Sequence, residues 1–450
     1  TPHPDLDANT VKGYDLISDK DTARDGNGRD PNPNDEGDYC EEWGSDARST
    51  WHGTHVAGTI AAVQNSIGVI GNAPRAKIQH VRVLGGCGGS MDDVADGITW
   101  ASGGKVAGTK RNTKPAKILN LSLEAAGVPC SNYLQKAING ARKRGSVVIV
   151  AAGNNGIDAR NTSPANCKNV ITVGATSFLG ARASYSNYGN TIDLSAPGGA
   201  IGDWRDSNNN PDLAAGIYST HNSGSYGQGS PSYAPMQGTS MATPGVSGVA
   251  ALIVAMRPKI TAKQLERVLR QSVSKFPNQT SHGALNCAKA KNCGKGIIDA
   301  TRVPTTFIAK PKVSNARVGR KAKVSPKAAS PKAKFSYQWL RNGKKIKGAT
   351  KKTYKVAKKD LGKRLSVRVT AKQSGFPSRK VTTSKVKVKK NSPTVKAKLK
   401  KKTIKRSQRA RVTITVKAGV TSRPTGKIKV TYGKKSKTYT LKKSHKGKLT

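Results

Sequence analysis

Ser146-Val147-Val148-Ile149-Val150-Ala151, running into Ala152-Gly153-Asn154-Asn155-Gly156, is the stretch that decides the fold. Five of its first six residues are Val, Ile or Ala, and small, turn-forming residues follow. A short apolar run bounded this way reads as a buried strand. The same grammar repeats on both sides. Ile78-Gln79-His80-Val81-Arg82-Val83-Leu84 and Lys117-Ile118-Leu119-Asn120-Leu121 read as strands upstream, and Val170-Ile171-Thr172-Val173 as a strand downstream. Residues 92–100 and 133–144 carry helical apolar spacing. Strands alternating with helices predict an α/β fold, a parallel sheet covered by helices. In that architecture ligands sit where loops leave the carboxyl ends of the strands.

The pattern changes after Val303. Phe335-Ser336-Tyr337-Gln338-Trp339-Leu340, the turn pair Asn342-Gly343, and Leu365-Ser366-Val367-Arg368-Val369 predict a small β-sandwich. Ser392-Pro393-Thr394 reads as a linker. Val412-Thr413-Ile414-Thr415-Val416 and Lys427-Ile428-Lys429-Val430 then begin a second β module, expected to be incomplete at Thr450. The expected domains are therefore residues 1–303, 304–391 and 392–450. Charge divides at the same place. Of the 450 residues, the first 300 hold 30 Lys+Arg and 24 Asp+Glu, a net of +6. The last 150 hold 49 and one, Asp360, a net of +48. Long Lys-rich runs can mean disorder. Trp339, Tyr337, Tyr354 and the strand alternation favour folded sandwiches instead.

A membrane-spanning helix needs about 20 apolar residues, whereas the longest run, 249–256, has eight. All six cysteines, Cys40, Cys87, Cys130, Cys167, Cys287 and Cys293, fall in the first 300 residues. An even count without a CxxC pair points to disulfides and an oxidising location, although spacing alone does not choose the pairing.

Three segments carry chemistry: Trp51-His52-Gly53-Thr54-His55-Val56-Ala57-Gly58-Thr59, Val150-Ala151-Ala152-Gly153-Asn154-Asn155-Gly156, and Gln237-Gly238-Thr239-Ser240-Met241-Ala242-Thr243-Pro244. Each sets a polar group beside small residues, which let a substrate backbone come close. A helix start adds free N–H groups and a positive dipole end. Taken singly the signals are modest. His52 and His55 lack the adjacent Glu of a zinc HExxH helix, and a Ser before an apolar helix is ordinarily an N-cap.

Together the three segments resemble the subtilisin-like serine peptidases (subtilases), over about residues 1–300. The resemblance implies a subtilisin-like domain and a role for each residue. His52 is general base and then acid, Ser240 the nucleophile, and Asn154 a side-chain donor to the oxyanion beside the Ser240 N–H. His55 and Thr54 are packing residues. A serine needs a base to become a nucleophile, and a preorganised donor is worth about 10²–10³ in turnover. One family member is absent: the Asp of an Asp-Thr/Ser-Gly motif, expected about five residues before Thr1 with the strand that carries it. The chain reads as a fragment or processed form, nearly inactive as it stands. The resemblance also implies that Leu121-Ser122-Leu123 and Leu84-Gly85-Gly86 pair with a peptide as added strands, and that Ala152 and Gly153 wall the main side-chain pocket. Glu124 stands where relatives often have Gly, so a negative rim would favour a basic substrate residue. Gly245 replaces a common His, with a change of packing expected.

A structural calcium ion is implied as well, held by Asp5, Asn65 and the carbonyls of Val63, Ile67 and Val69, an all-oxygen shell. Asp25-Gly26-Asn27-Gly28-Arg29-Asp30 starts like a calcium loop but has Asp30 where Gly is required. It reads as a solvated acidic surface loop; the alternative is that, with Asp35, Asp38, Glu41 and Glu42, it faces basic residues or a second ion. Disulfides Cys40–Cys87, Cys130–Cys167 and Cys287–Cys293 follow secreted bacterial relatives. Residues 310–390, and Pro424-Thr425-Gly426 to Tyr432-Gly433, resemble bacterial Ig-like modules.

The expected protein is a secreted, extracellular or wall-associated endopeptidase acting on proteins or peptides as a monomer. Its basic modules attract anionic wall polymers or other polyanions, or serve only as a solvated surface. The competing class is a non-catalytic wall- or polyanion-binding protein with a degenerate peptidase fold. Another α/β hydrolase is disfavoured, because Ser240 lacks a Gly-x-Ser-x-Gly elbow.

Overall fold

The structure, a computed structural model, describes the whole chain except residues 45–47, 205–208, 279–285, 402, 404, 406 and 419–422. The chain divides into two compact units, Thr1–Ile308 with Ala329–Pro331, and Ala309–Ala328 with Lys332–Thr450.

In the first unit the main strands are β1 Thr10–Asp15, β2 Ile78–Arg82, β3 Ile118–Leu121, β4 Val147–Ala151, β5 Val170–Thr176, β6 Leu194–Pro197, β7 Ile217–Asn222, β8 Pro231–Met236, β9 Val273–Ser274 and β10 Ile297–Ile298. The main helices are α1 His52–Ala61, α2 Met91–Ala101, α3 Asn132–Arg144, α4 Thr239–Met256 and α5 Ala262–Leu269. A six-stranded sheet runs in the order β9-β10-β6-β5-β4-β3. It is parallel except for the β9–β10 pair. β1 and β2 form a separate parallel pair, and β7 and β8 an antiparallel hairpin.

The unbroken apolar character of β4 has a direct cause. Val148 and Val150 join Val94 and Ile98 of α2 and Leu134, Ile138 and Ala141 of α3 in one core. Val147 and Ile149 point the other way, into a core with Val246, Val249 and Ile253 of α4 and Leu265, Val268 and Leu269 of α5. Successive side chains alternate faces, so a strand covered on both sides has no position for a polar residue. Each such aliphatic side chain contributes about 1.5–3 kcal/mol by leaving water.

α2 and α3 begin on Ser90 and Ser131, whose hydroxyls accept backbone N–H groups, and α3 stops at Gly145 with φ 102°. α4 is long and apolar enough to cross a membrane by length and composition, but 67% of it is buried inside its own unit. It is a core helix. Disulfides join Cys40 to Cys87, Cys130 to Cys167 and Cys287 to Cys293.

The second unit is antiparallel β structure. Lys334–Arg341 pairs along its whole length with residues 365–372 of the strand Arg364–Gln373. Asn342 and Gly343, both at positive φ, turn the chain into Lys344–Lys345, as an Asn-Gly hairpin requires. Trp339 is fully buried opposite Val367 of the paired strand, and its indole N–H donates to the Lys351 carbonyl at 2.9 Å. A further three-stranded sheet, from Thr394–Leu399, Val412–Lys417 and Lys448–Leu449, and the hairpin Gly426–Tyr432 with Lys435–Leu441 close on a small core of Ile414, Val416 and Leu441.

Candidate active site

β3 and β4 are neighbours in register, Leu121 beside Val150, so the loops leaving their carboxyl ends lie side by side. α4 packs on both strands, and its first residues meet those loops. Ser240, the second residue of α4, is nearly buried. Its hydroxyl donates to the Ser122 carbonyl at 3.4 Å, while the Ser122 hydroxyl donates to the Ser240 carbonyl at 2.7 Å. Pro244 explains the second bond. In a regular helix the N–H of residue 244 would bind the Ser240 carbonyl; proline has none, and Ser122 takes its place. The Ser240 N–H, in the helix's first turn, has no acceptor among the described residues, as expected at a helix start.

Asn154 follows β4 by three residues, exposed and held from two sides. Its Oδ1 accepts the Thr239 N–H at 2.8 Å and the Thr239 hydroxyl at 2.9 Å. With the amide oxygen so engaged, its NH₂ is turned to the other side as a donor. The Thr239 Oγ1 also accepts the Gly153 N–H at 3.1 Å. Gly238 precedes this turn at φ 151°, its N–H donating to the Gly198 carbonyl and the Tyr185 hydroxyl. Burial pushes the Tyr185 phenol well above its usual range, so it remains a neutral partner. Ala152 and Gly153 are buried between strand and loop, with the Asn187 amide donating to the Ala152 carbonyl. Leu123 lies beside the α2–α3 core.

Two groups stand apart. His52 opens α1, which packs on α4 and on β7. Its ring is lowered in pKa, first by burial, with the charge of Asp38 acting in the opposite direction. Among the described residues no hydrogen bond joins the His52 ring to Ser240 or to any carboxylate. Gly85 and Gly86 are bound elsewhere: the Gly85 N–H donates to the Gly88 carbonyl of its own loop, and the Gly86 N–H to the Thr22 carbonyl in the short helix Lys20–Ala23. Among the described residues no hydrogen bond links them to Ser240, Asn154 or His52.

α1 is fastened by its interior. The fully buried His55 sets Nε2 between the carbonyls of Ile217 and Ala234, at 3.0 and 3.1 Å. Ser219 and Thr220 donate their hydroxyls to the carbonyls of His55 and Thr54.

The Asp5 carboxylate is completely buried and has no Lys or Arg partner among the described residues. It accepts Asn65 Nδ2 at 2.7 Å, the Val69 N–H at 3.0 Å and the Tyr233 hydroxyl at 2.9 Å. The Val63 N–H donates to the Asp5 carbonyl and the Ile67 N–H to Asn65 Oδ1. An unpaired buried carboxylate beside an amide side chain and an exposed loop backbone is a hard oxygen set of the kind Ca²⁺ takes, although its present neighbours are all donors. The acidic loop at 25–35 turns to a basic residue: Arg82 meets Asp15 at 2.7 Å and Asp25 and Asp35 each at 3.8 Å. Burial raises the Asp15 carboxyl to about 6 in spite of its bonds from Ile17 and Arg82.

The sequence motifs marked Ser240, Asn154 and His52 but not the groups that hold them. Thr239 lay unremarked inside the third motif. Tyr185 and the β7–β8 hairpin had no signal pointing to the site.

Residues 1–296 match the Subtilase family. An extracellular protease of Xanthomonas campestris pv. campestris is 48% identical over 315 residues, covering 68% of this chain and 50% of that protein. An extracellular basic protease of Dichelobacter nodosus is 42% identical over 312 residues, 66% of this chain and 47% of its own. The chain thus spans about half the length of these curated relatives. Among solved structures, proteases from Pseudoalteromonas arctica superpose with a TM-score of 0.60 at 46% identity, covering 67% of this chain and 85% of that one.

Proposed function

The chain belongs to the subtilase family, and from that premise we propose that it acts as a secreted serine endopeptidase. The observation that carries the reading is the Thr239–Asn154 lock, which engages the amide oxygen and turns the Asn154 NH₂, itself partnered by Glu124, away from Thr239, while the Ser240 N–H has no acceptor among the described residues. Ser240 Oγ attacks the peptide carbonyl and His52 takes its proton. The two donors bind the resulting oxyanion. His52 then returns the proton to the leaving amine, and water releases the acyl group by the reverse sequence. In the ground state the Ser240 hydroxyl points at Ser122, so it must swing toward His52 to react. Ser122–Leu123 and Gly85–Gly86 would flank the peptide, and Ala152–Gly153 would line its main side-chain pocket.

A carboxylate that fixes the His52 ring is worth about 10⁴ in turnover in serine peptidases. None meets that ring among the described residues, so hydrolysis by this chain is expected to be slow. The test is prolonged incubation with a casein-derived peptide, analysed by mass spectrometry, for the chain and its Ser240→Ala variant. Slow cleavage that disappears in the variant is expected. Cleavage that persists in Ser240→Ala would overturn the reading.

Asp5, Asn65 and the carbonyls of Val63, Ile67 and Val69 would hold a Ca²⁺ ion, which would neutralise the buried charge of Asp5 and tie its loop to the rest of the unit. The basic residues of 304–450 would bind anionic surfaces such as wall polymers, with affinity that falls as salt screens the field. Retention on polyphosphate beads that persists undiminished in 1 M salt, about a 3 Å screening length, would count against that role.

A further inference from the structure

We propose that Glu124 selects a positively charged substrate side chain and so sets the substrate class of this site; the inference rests on the peptidase reading above. Glu124 lies in the loop whose Ser122 contacts Ser240 through both its hydroxyl and its carbonyl. Its carboxylate crosses to the neighbouring loop, where Oε1 and Oε2 accept the Asn154 N–H at 2.9 and 3.1 Å. It also lies directly over Gly153. A Cβ on Gly153 would meet Glu124 Oε2 and Asn187 Nδ2 at 2.2 Å each, and Thr162 Cγ2 at 3.0 Å. Gly153 sits at φ 104°, so glycine serves both the backbone and the space, and Glu124 occupies that space.

The carboxylate is half-buried, and no Lys or Arg forms an ion pair with it among the described residues. Arg160, from the β4–β5 connection, is engaged by Asp158 at 2.7 Å. Burial pushes the Glu124 carboxyl up from its usual value, and its bonds from Asn154 pull it back. An unpaired acid in this position has two consequences. It is short of a countercharge, which a half-buried carboxylate gains from being given. It also opposes the negative charge that develops beside Asn154 during acyl transfer. An ammonium or guanidinium on the substrate meets both demands, and a guanidinium reaches both carboxylate oxygens. An apolar side chain would either cover the charge without pairing it or displace it from Asn154.

The test uses the full chain and two peptide boronates that differ only in carrying Arg or Leu at the residue bearing boron. Boron accepts the Ser240 Oγ lone pair while the hydroxyl proton passes to His52, so the probe reports binding without turnover. The Arg boronate is expected to bind about tenfold or more tightly. Glu124→Gln, which keeps an oxygen for the Asn154 N–H, is expected to bring the ratio close to one. Equal affinities in the parent chain, or a preference that survives Glu124→Gln, overturn the proposal while leaving the peptidase reading intact. Binding of neither boronate overturns both.

Discussion

Acid should loosen the helix that carries His52, through His55. That ring is fully buried and held down to about 4, first by burial, then by the nearby His52 and His221, with its bonds to Ala234 and Ile217 acting in the opposite direction. Geometry gives the reason. Nε2 faces two carbonyls and so carries the proton. Nδ1 is buried with no partner. A second proton would bury a cation and create a donor without an acceptor. The unfolded ring takes its proton near 6.5. Between about 6.5 and 4 the unfolded chain therefore binds the extra proton and the folded chain does not. Stability from this residue is complete above that window and is lost as pH falls through it. Each tenfold in proton affinity is worth about 1.36 kcal/mol, so the loss reaches roughly 3 kcal/mol near pH 4. His55→Gln supplies an NH₂ to the same two carbonyls and cannot titrate. Guanidinium unfolding of parent and variant, followed at one tryptophan wavelength from pH 7 to 4, gives the difference at each pH. The parent's advantage at pH 7 should shrink by about 3 kcal/mol. A difference that stays flat across the window would refute the reasoning.

Three further outcomes follow from the same contacts. Asn154→Ala should lower kcat about 10²–10³-fold with little change in KM, because the lost donor acts on the developing oxyanion; steady-state kinetics on a peptidase form with its full catalytic set checks this, and an unchanged kcat refutes it. Chelation with EDTA should lower the thermal midpoint, by an amount matching about 2.7 kcal/mol if the ion stands at a hundred times its Kd, and Asp5→Asn should abolish the response; a melt indifferent to EDTA refutes the calcium assignment. Asp360→Ala should cost the second unit about 3–5 kcal/mol, since this buried carboxylate accepts from Arg341 Nε, Tyr354 Oη at 2.8 Å and the Ala357 N–H at 2.7 Å; near-UV dichroism of Trp339, whose ring lies 5.5 Å from that of Tyr354, reads the change.

What was legible in the sequence was what one segment determines by itself. The runs at 118–121 and 147–151 could only be buried strands, and their observed bounds lie within a residue of the expected ones. Asn342-Gly343 named its own turn. The hairpin of β7 and β8 was not legible, because Pro231 and Pro235 argue against a strand, while its value is tertiary: it supplies the carbonyls that seize His55. β1 was missed for a similar reason. Gly13 weakens the pattern, yet a Cβ there would meet the His80 carbonyl at 1.9 Å, so glycine is the condition for β1 to lie against β2.

The candidate site divides along the same line. Reactive residues announce themselves by type and by small neighbours, whereas the groups that aim them do not, because aiming is done across the fold. Thr239 meets Asn154 over 85 positions, and Ser122 meets Ser240 over 118. Pro244 shows how a local signal changes meaning on folding. In sequence it marks only a place where a helix should not continue. In the structure α4 continues, and the missing N–H frees the Ser240 carbonyl for the loop that also carries Glu124. A residue that looks like a local defect thereby couples the proposed nucleophile to the loop proposed to choose its substrate, and a substitution at 244 that restores the N–H should disturb both together.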